Sequence, residues 1–277
     1  MPEGPEVRIV AERLHKLLAG KKYVSITPIG GSIKSSTRPI HANFRDEIAK
    51  LNNIALRNDA QLKFTRVLSK GKYIYFELQL IHKLNGTESI GYKYIGNHLM
   101  LTGRWTDVPD NASVELVYEG GSIYFTDTRQ FGYLEVLTQK ELRNNLDQLG
   151  PNVLDTITIE QFKERINMRP RAAIASVLSD QSILSGIGNY LRSDILWKAR
   201  IDPKRASVSF KESEWKALHA AVASVPQDSY KKGGSFDYVD DGKYKMLIYK
   251  KKEDPLGNKV TFETIGGQRV YKSSVQK

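Results

Sequence analysis

Partway along its 277 residues the chain changes the spacing of its apolar side chains, and that change limits the folds open to it. From Tyr73 to Leu80, YIYFELQL puts Ile74, Phe76, Leu78 and Leu80 on one face and Tyr73, Tyr75, Glu77 and Gln79 on the other, the period of a half-buried strand. VELVYEGGSIYFTDTRQFGYLEVL, Val114 to Leu137, reads as three strands, the first two joined by a Gly-Gly turn. Strand signals dominate up to about residue 137. LGPNVLD, Leu149 to Asp155, reads as a connector, and helical spacing follows at Ile159 to Asn167, Ala172 to Leu178, Asn189 to Ala199 and Glu212 to Val225. The tail from Met246 to Tyr271 returns to strands, with Gly-Gly at 266–267 as a hairpin tip. This order predicts an α+β chain of two domains. An N-terminal β-sandwich is expected over 1–137 and a linker over 138–156. A C-terminal domain over 157–277 would hold its helices in 157–227 and a β-ribbon in 246–277.

The first helix is expected from Glu6 to Leu18, with Val7, Val10, Leu14 and Leu17 on one face and Gly20 at its C-terminal end. Pro5 suits the first helical position, and Glu3 and Glu6 lie near the positive end of the dipole.

Several chemistries are excluded. Cysteine is absent, which rules out disulfides, a thiolate nucleophile and cysteine-held zinc. The five histidines, His15, His41, His82, His98 and His219, never pair at ligand spacing, so no protein-bound metal and no cofactor are expected. No apolar run reaches the about 18 residues of a membrane span. No basic stretch leads into an apolar one at the N-terminus, so an intracellular monomer, nuclear or cytoplasmic by source, is expected. The net charge of +11 points to a polyanionic partner, most often nucleic acid.

Five stretches carry candidate chemistry. MPEGPEV places a proline after the initiator methionine. Removal of Met1 leaves Pro2 with a secondary amine, and an α-amino group titrates near ~8. Attack by that amine on a sugar C1′ or an aldehyde gives an iminium, an electron sink for elimination, and Glu3 beside it could move the protons. In SGIGNYLRSDILW, Gly186 and Gly188 free the backbone, Asn189 is placed to cap a helix, and the exposed N–H groups suit a phosphate. In SKGKYIYF, Lys70 and Lys72 flank Gly71 before a strand, where a lysine suits a phosphate. LMLTGRW and TDTRQFGY supply Leu101, Arg129 and Phe131, candidates for a wedge between base steps; core packing is the common fate of such apolar residues. The basic tail from Tyr249 to Lys277 carries Arg269 just past the Gly-Gly tip.

Taken in this order, PEGPEV, GK before a strand, R-x-F-G, GIGNY and the terminal QR ribbon resemble the formamidopyrimidine-DNA glycosylase / endonuclease VIII family from Pro2 to the C-terminus, with PEGPEV closer to the endonuclease VIII branch. The resemblance implies Pro2 as nucleophile, Glu3 as general acid/base and Glu6 as a supporting carboxylate of the pocket. Lys72 and Asn189 would be phosphate contacts, Arg269 the arginine of the finger, and Leu101, Arg129 and Phe131 the void-filling triad. It implies a helix–two-turns–helix domain and double-stranded DNA with oxidised bases or abasic sites as partner. The activity would be a DNA glycosylase with AP lyase, favouring oxidised pyrimidines and formamidopyrimidines.

Three departures stand out. Leu256, Lys272 and Val275 stand near the places of the family's zinc-binding cysteines, so the finger resembles the zincless branch known from animal, plant and viral relatives. Asp194 stands where the family often has glutamate, with a shorter reach. The stretch Gly233 to Tyr249 is short for the region that caps 8-oxoguanine in bacterial members, which counts against strong activity on that base. A non-catalytic damaged-DNA binder and an RNA-binding module would use the same helical motif, but neither needs a secondary amine with carboxylates beside it.

Overall fold

The computed structural model describes residues 1–84, 87–235, 238–239 and 241–277. They form two compact units: Met1–Pro2 with Val7–Asp147, and Glu3–Glu6 with Gln148–Lys277.

Helix α1 runs Gly4–Leu18 and starts two residues before Glu6. Its first turn closes because the Glu6 carboxylate accepts the backbone N–H of Glu3 at 2.9 Å, half of a capping box. Its buried stripe is Val7, Ala11, Leu14 and Leu18; Leu17, expected inside, is exposed.

The first unit continues with β1 (Tyr23–Pro28), α2 (Gly31–Ser35), α3 (Pro39–Ala55), β2 (Ala60–Lys70), β3 (Tyr73–Leu84) and β4 (Thr87–His98). Then come β5 (Arg104–Thr106), β6 (Ala112–Tyr118), β7 (Gly121–Thr126), β8 (Tyr133–Leu137) and α4 (Gln139–Asp147). The strands make two antiparallel sheets, β1-β6-β7-β5 and β2-β3-β4-β8, which is the expected β-sandwich. One aromatic chain crosses it from sheet to sheet: Tyr23, Phe64, Phe76, Trp105 and Phe125, with neighbouring ring centroids 5.5–6.4 Å apart.

Helix α3 corrects the expectation that strands dominate up to residue 137. No side chain caps it, which forgoes about 1 kcal/mol. Phe44, Ile48 and Leu51 are buried one turn apart, at about 1.5–3 kcal/mol each, and that outweighs the missing cap. The stretch 138–156 likewise includes a helix, α4.

The second unit holds α5 (Ile159–Ile166), α6 (Ile174–Ser179), α7 (Asn189–Ala199), α8 (Glu212–Lys231), β9 (Val260–Ile265) and β10 (Gln268–Ser273). Helix α6 begins two residues later than expected, and strands in the tail are confined to 260–265 and 268–273. Helix α8 runs through Pro226, where the sequence suggested a stop at Val225. An interior proline costs about 3 kcal/mol. Burial of Val222, Val225 and Pro226 offsets it, and the extra turn carries the fully buried Ser229 inward. Helix α7 is buried almost all round, including the polar Arg192, Ser193 and Asp194.

Candidate active site

Pro2 is buried, and Glu3 is only 2% exposed. The Glu3 carboxylate accepts the backbone N–H groups of Gly188 at 2.7 Å, Tyr190 at 2.9 Å and Leu191 at 3.2 Å. These are orphan donors at the start of α7, where the helix dipole favours an anion. The N–H groups expected to hold a phosphate are therefore taken by Glu3. The approach is close: the Gly4 N–H donates to the Gly186 carbonyl at 2.8 Å, and a Cβ on Gly4 would lie 3.2 Å from Gly186 Cα.

Glu6, fully buried, ties the same segment to α7 and α8. Besides the Glu3 N–H it accepts the Tyr190 hydroxyl at 2.7 Å, the Ser235 N–H at 3.0 Å and the Ser229 hydroxyl at 3.4 Å. Burial raises its pKa, and the donors of Ser235, Tyr190 and Glu3 work against that rise.

Asn189 does not cap α7. Gly188 is the N-cap and Asn189 the first helical residue, with its Oδ1 accepting from Arg192 Nη2 at 3.0 Å. Sequence reasoning gave Arg192 no role. It is 1% exposed, and its guanidinium also donates to Ser179 Oγ, Gln268 Oε1 at 3.1 Å and the Arg269 carbonyl at 3.2 Å. One buried cation thus ties α6, α7 and β10 together. Its spacing one turn after Asn189 is the only sequence sign of this. Burial lowers its pKa, and the charge of Glu3 opposes that. The Arg269 side chain is exposed, with its guanidinium 4.7 Å from the centroid of the Phe262 ring.

The ribbon is anchored by polar contacts and packing. Asp254 Oδ2 accepts Trp197 Nε1–H at 3.0 Å and the Ser273 hydroxyl at 2.8 Å, while Oδ1 accepts the N–H groups of Leu256 and Asn258. Burial works to raise its pKa, but the donors of Trp197, Asn258, Ser273 and Leu256 prevail and hold the carboxyl well below the usual carboxylate range. Of the three places expected for cysteines, Leu256 is exposed. Lys272 pairs with Asp202 at 2.9 Å and Glu263 at 2.8 Å, and Val275 packs against the cluster of Trp197, Ile248 and Val260. Asp194 reaches its partners despite its short side chain: the Tyr244 hydroxyl and Leu247 N–H at 2.9 Å and the Ile248 N–H at 3.1 Å. Burial nonetheless pushes it up to about 6. Within Gly233 to Tyr249, residues 236, 237 and 240 lie outside the described residues.

In the first unit, Lys72 follows Gly71 in a two-residue turn between β2 and β3. Gly71 has φ +58°, a conformation that favours glycine. Leu101 and Phe131 are not core residues: Leu101 is half-buried and Phe131 is 50% exposed. Their loops are joined through Asp127, which accepts from Thr102 Oγ1 and, at 2.6 Å, from the Gly132 N–H. The Arg129 N–H donates to Thr102 Oγ1 at 3.2 Å. Leu101, Arg129 and Phe131 therefore stand on one loop cluster, and the tie between the loops was not visible in the sequence.

Among the described residues no helix is long and apolar enough to cross a membrane, and no three metal-ligating side chains cluster.

Residues 1–134 match the model of the formamidopyrimidine-DNA glycosylase N-terminal domain, and residues 149–239 that of the formamidopyrimidine-DNA glycosylase H2TH domain. A formamidopyrimidine-DNA glycosylase of Streptococcus agalactiae is 28% identical over 245 residues, covering 85% of this chain and 80% of that protein. An endonuclease 8 of Pectobacterium carotovorum is 28% identical over 242 residues, covering 86% and 82%. In fold, the chain is similar to the Lactococcus lactis formamidopyrimidine-DNA glycosylase non-covalently bound to DNA containing an AP site. That match has a TM-score of 0.78 and 20% identity, over 99% of each chain. It is likewise similar to MutM in complex with DNA containing carbocyclic 8-oxo-G, with a TM-score of 0.78 and 21% identity over 100% of each chain.

Proposed function

The chain belongs to the formamidopyrimidine-DNA glycosylase / endonuclease VIII family, and on that footing we propose that it is bifunctional, excising oxidised bases through Pro2 and then nicking the strand. At the coarser level it is a DNA glycosylase of base excision repair whose partner is damaged DNA.

With Met1 removed, a fraction of the Pro2 amine is neutral at physiological pH. Its nitrogen attacks C1′ of the flipped nucleotide, the bond to the base breaks, and the base leaves with a proton. Opening of the sugar gives an iminium, whose charge draws electrons without needing a proton. Loss of a C2′ proton expels the 3′ phosphate, and a second elimination expels the 5′ phosphate. Glu3 handles the protons of this sequence. Lys72, Asn189 and Arg269 hold phosphates, and Leu101, Arg129 and Phe131 fill the space the flipped base leaves, offsetting the few kcal/mol of unstacking.

The observation that carries this reading is the fixation of the tip: the carboxylate next to Pro2 in the chain is held by three backbone N–H groups. A non-catalytic binder has no use for a fixed carboxylate beside a proline amine. Borohydride should trap the protein covalently on abasic-site DNA, and Pro2→Gly should lose most base excision. An uncleaved N-terminal tag with full lyase activity would refute the role of Pro2. Oxidised pyrimidines and ring-opened purines should be the preferred lesions; efficient excision of 8-oxoguanine opposite cytosine would defeat that part.

A further inference from the structure

The tail stretch YKKKEDPLGNK, Tyr249 to Lys259, is not used by the chemistry above. With the ribbon it forms a groove of about 620 Å³, lined by Lys250, Lys251, Lys252, Lys259, Phe262 and Tyr271, with Glu253 as its one acid. All four lysines are exposed, and among the described residues none is paired with a carboxylate. Phe262 is 50% exposed. Arg269 lies over its ring, and Tyr271 meets it at 5.8 Å and 48°. Tyr249 in turn stands edge-on to Tyr271 at 5.1 Å. The groove is a fixed shape, because Asp254 holds the turn through Leu256 and Asn258.

A row of unpaired lysines alone would suit any polyanion. A half-exposed aromatic ring set among them, with Arg269 on one side, adds a demand for a flat, apolar partner on the other. Unpaired bases with their phosphates meet both demands, since every base has a face to stack and every phosphate a charge. A duplex meets only the first, because its bases are already stacked on one another, and so does an acidic peptide without aromatic side chains. We propose that this groove binds single-stranded DNA, with the lysines along its phosphates and a base on Phe262. Only binding is involved, so the proposal stands or falls apart from the role of Pro2.

The test is fluorescence anisotropy on the full chain with three labelled probes: oligothymidylate, a propanediol-phosphate chain of equal charge without bases, and an undamaged duplex. The wild type should prefer oligothymidylate to the base-free chain by about tenfold, the effect of one base stacked on a ring. Phe262→Leu, which keeps apolar bulk under Arg269, should erase that preference. Replacing Lys251, Lys252 and Lys259 together by alanine should weaken both single chains. It should also lower the slope of log affinity against log salt by about 0.7 for each phosphate that no longer meets a lysine. Phe262→Leu should leave duplex binding at the wild-type level, because a duplex has no free base to offer the ring. A base preference that survives Phe262→Leu would overturn the proposal. So would an equal loss on the duplex, or a polyglutamate that competes as well as oligothymidylate.

Discussion

Asp254 should decide whether the ribbon stays folded, because no other side chain among the described residues gathers so many donors there. In Asp254→Ala the N–H groups of Leu256 and Asn258 can turn to water, since both residues lie at the surface. Trp197 Nε1–H and the Ser273 hydroxyl cannot, because both residues are buried. A buried donor left unsatisfied costs about 1–3 kcal/mol, so the two together cost about 2–6 kcal/mol. A two-stranded ribbon has little stability of its own to set against that. Native-state hydrogen exchange should show amides of 260–273 losing at least about thirtyfold protection, while those of α7 and α8 keep theirs. Affinity for abasic-site DNA should fall with it. Asp254→Asn keeps an acceptor for Leu256 and Asn258 but turns an amide toward Trp197, and should fall between. The folded pKa lies well below the ~3.9 of an unfolded aspartate. The contribution of this carboxylate is thus complete above about pH 5 and lost only as pH falls through the folded value, so protection should not vary between pH 5 and 8. Chelators should leave it unchanged. Unaltered exchange of 260–273 in Asp254→Ala would refute the argument.

Three further outcomes are expected. Glu3→Gln should lower excision of an intact damaged base by ~10²–10⁴-fold while sparing part of the cleavage of a pre-formed abasic site; equal loss of both, with a lowered melting temperature, would make Glu3 a purely structural anchor of α7. Arg269→Ala should weaken binding about equally on every sequence and flatten the salt dependence by about one unit; wild-type affinity and slope would remove the finger assignment. Asp194 has a folded pKa raised to about 6, above the unfolded ~3.9, so its contribution is complete below about pH 4 and lost as pH rises through about 6. Asp194→Asn should remove that step from a plot of melting temperature against pH, and an identical profile would disprove the shift.

What could be read from the sequence was what depends on near neighbours. The alternation in 73–80 needs only its own strand, and the hairpin of β6 and β7 only its own turn, which closes over Glu119–Gly120 and leaves Gly121 as the first residue of β7. The bounds of α7 follow from glycines on one side and residue spacing along it. Helix α3 was readable in principle, since Pro39 sits in its first turn and Phe44, Ile48 and Leu51 recur at helical spacing. The want of a polar cap and the strand signals on either side conceal it. In the tail only Met246 to Tyr249 has strand-like composition; the lysines, Asp254, Pro255, Gly257 and Asn258 that follow are poor strand residues, and the hydrogen bonds of Asp254 hold them as a turn. Arg192 and the partners of Glu3 were beyond reach for another reason. A charged residue on a helix is ordinarily solvated, and the burial of Arg192 depends on Gln268, 76 positions away. The N–H groups that hold Glu3 lie 185 to 188 positions from it, and no local pattern announces such pairs.

The same separations set an order of events in synthesis. Contacts so far apart close late, because the intervening chain must first exist and collapse. Gly188 to Leu191 leave the ribosome after most of the chain, and Ser235, which donates to Glu6, later still. At about 5–20 residues per second, the tip waits roughly ten to fifty seconds for its partners. During that interval Met1 is on a loose end, open to an aminopeptidase; afterwards Pro2 is buried. On the proposed role of Pro2, that interval is when removal of Met1 would expose the amine, before the fold closes over the proline.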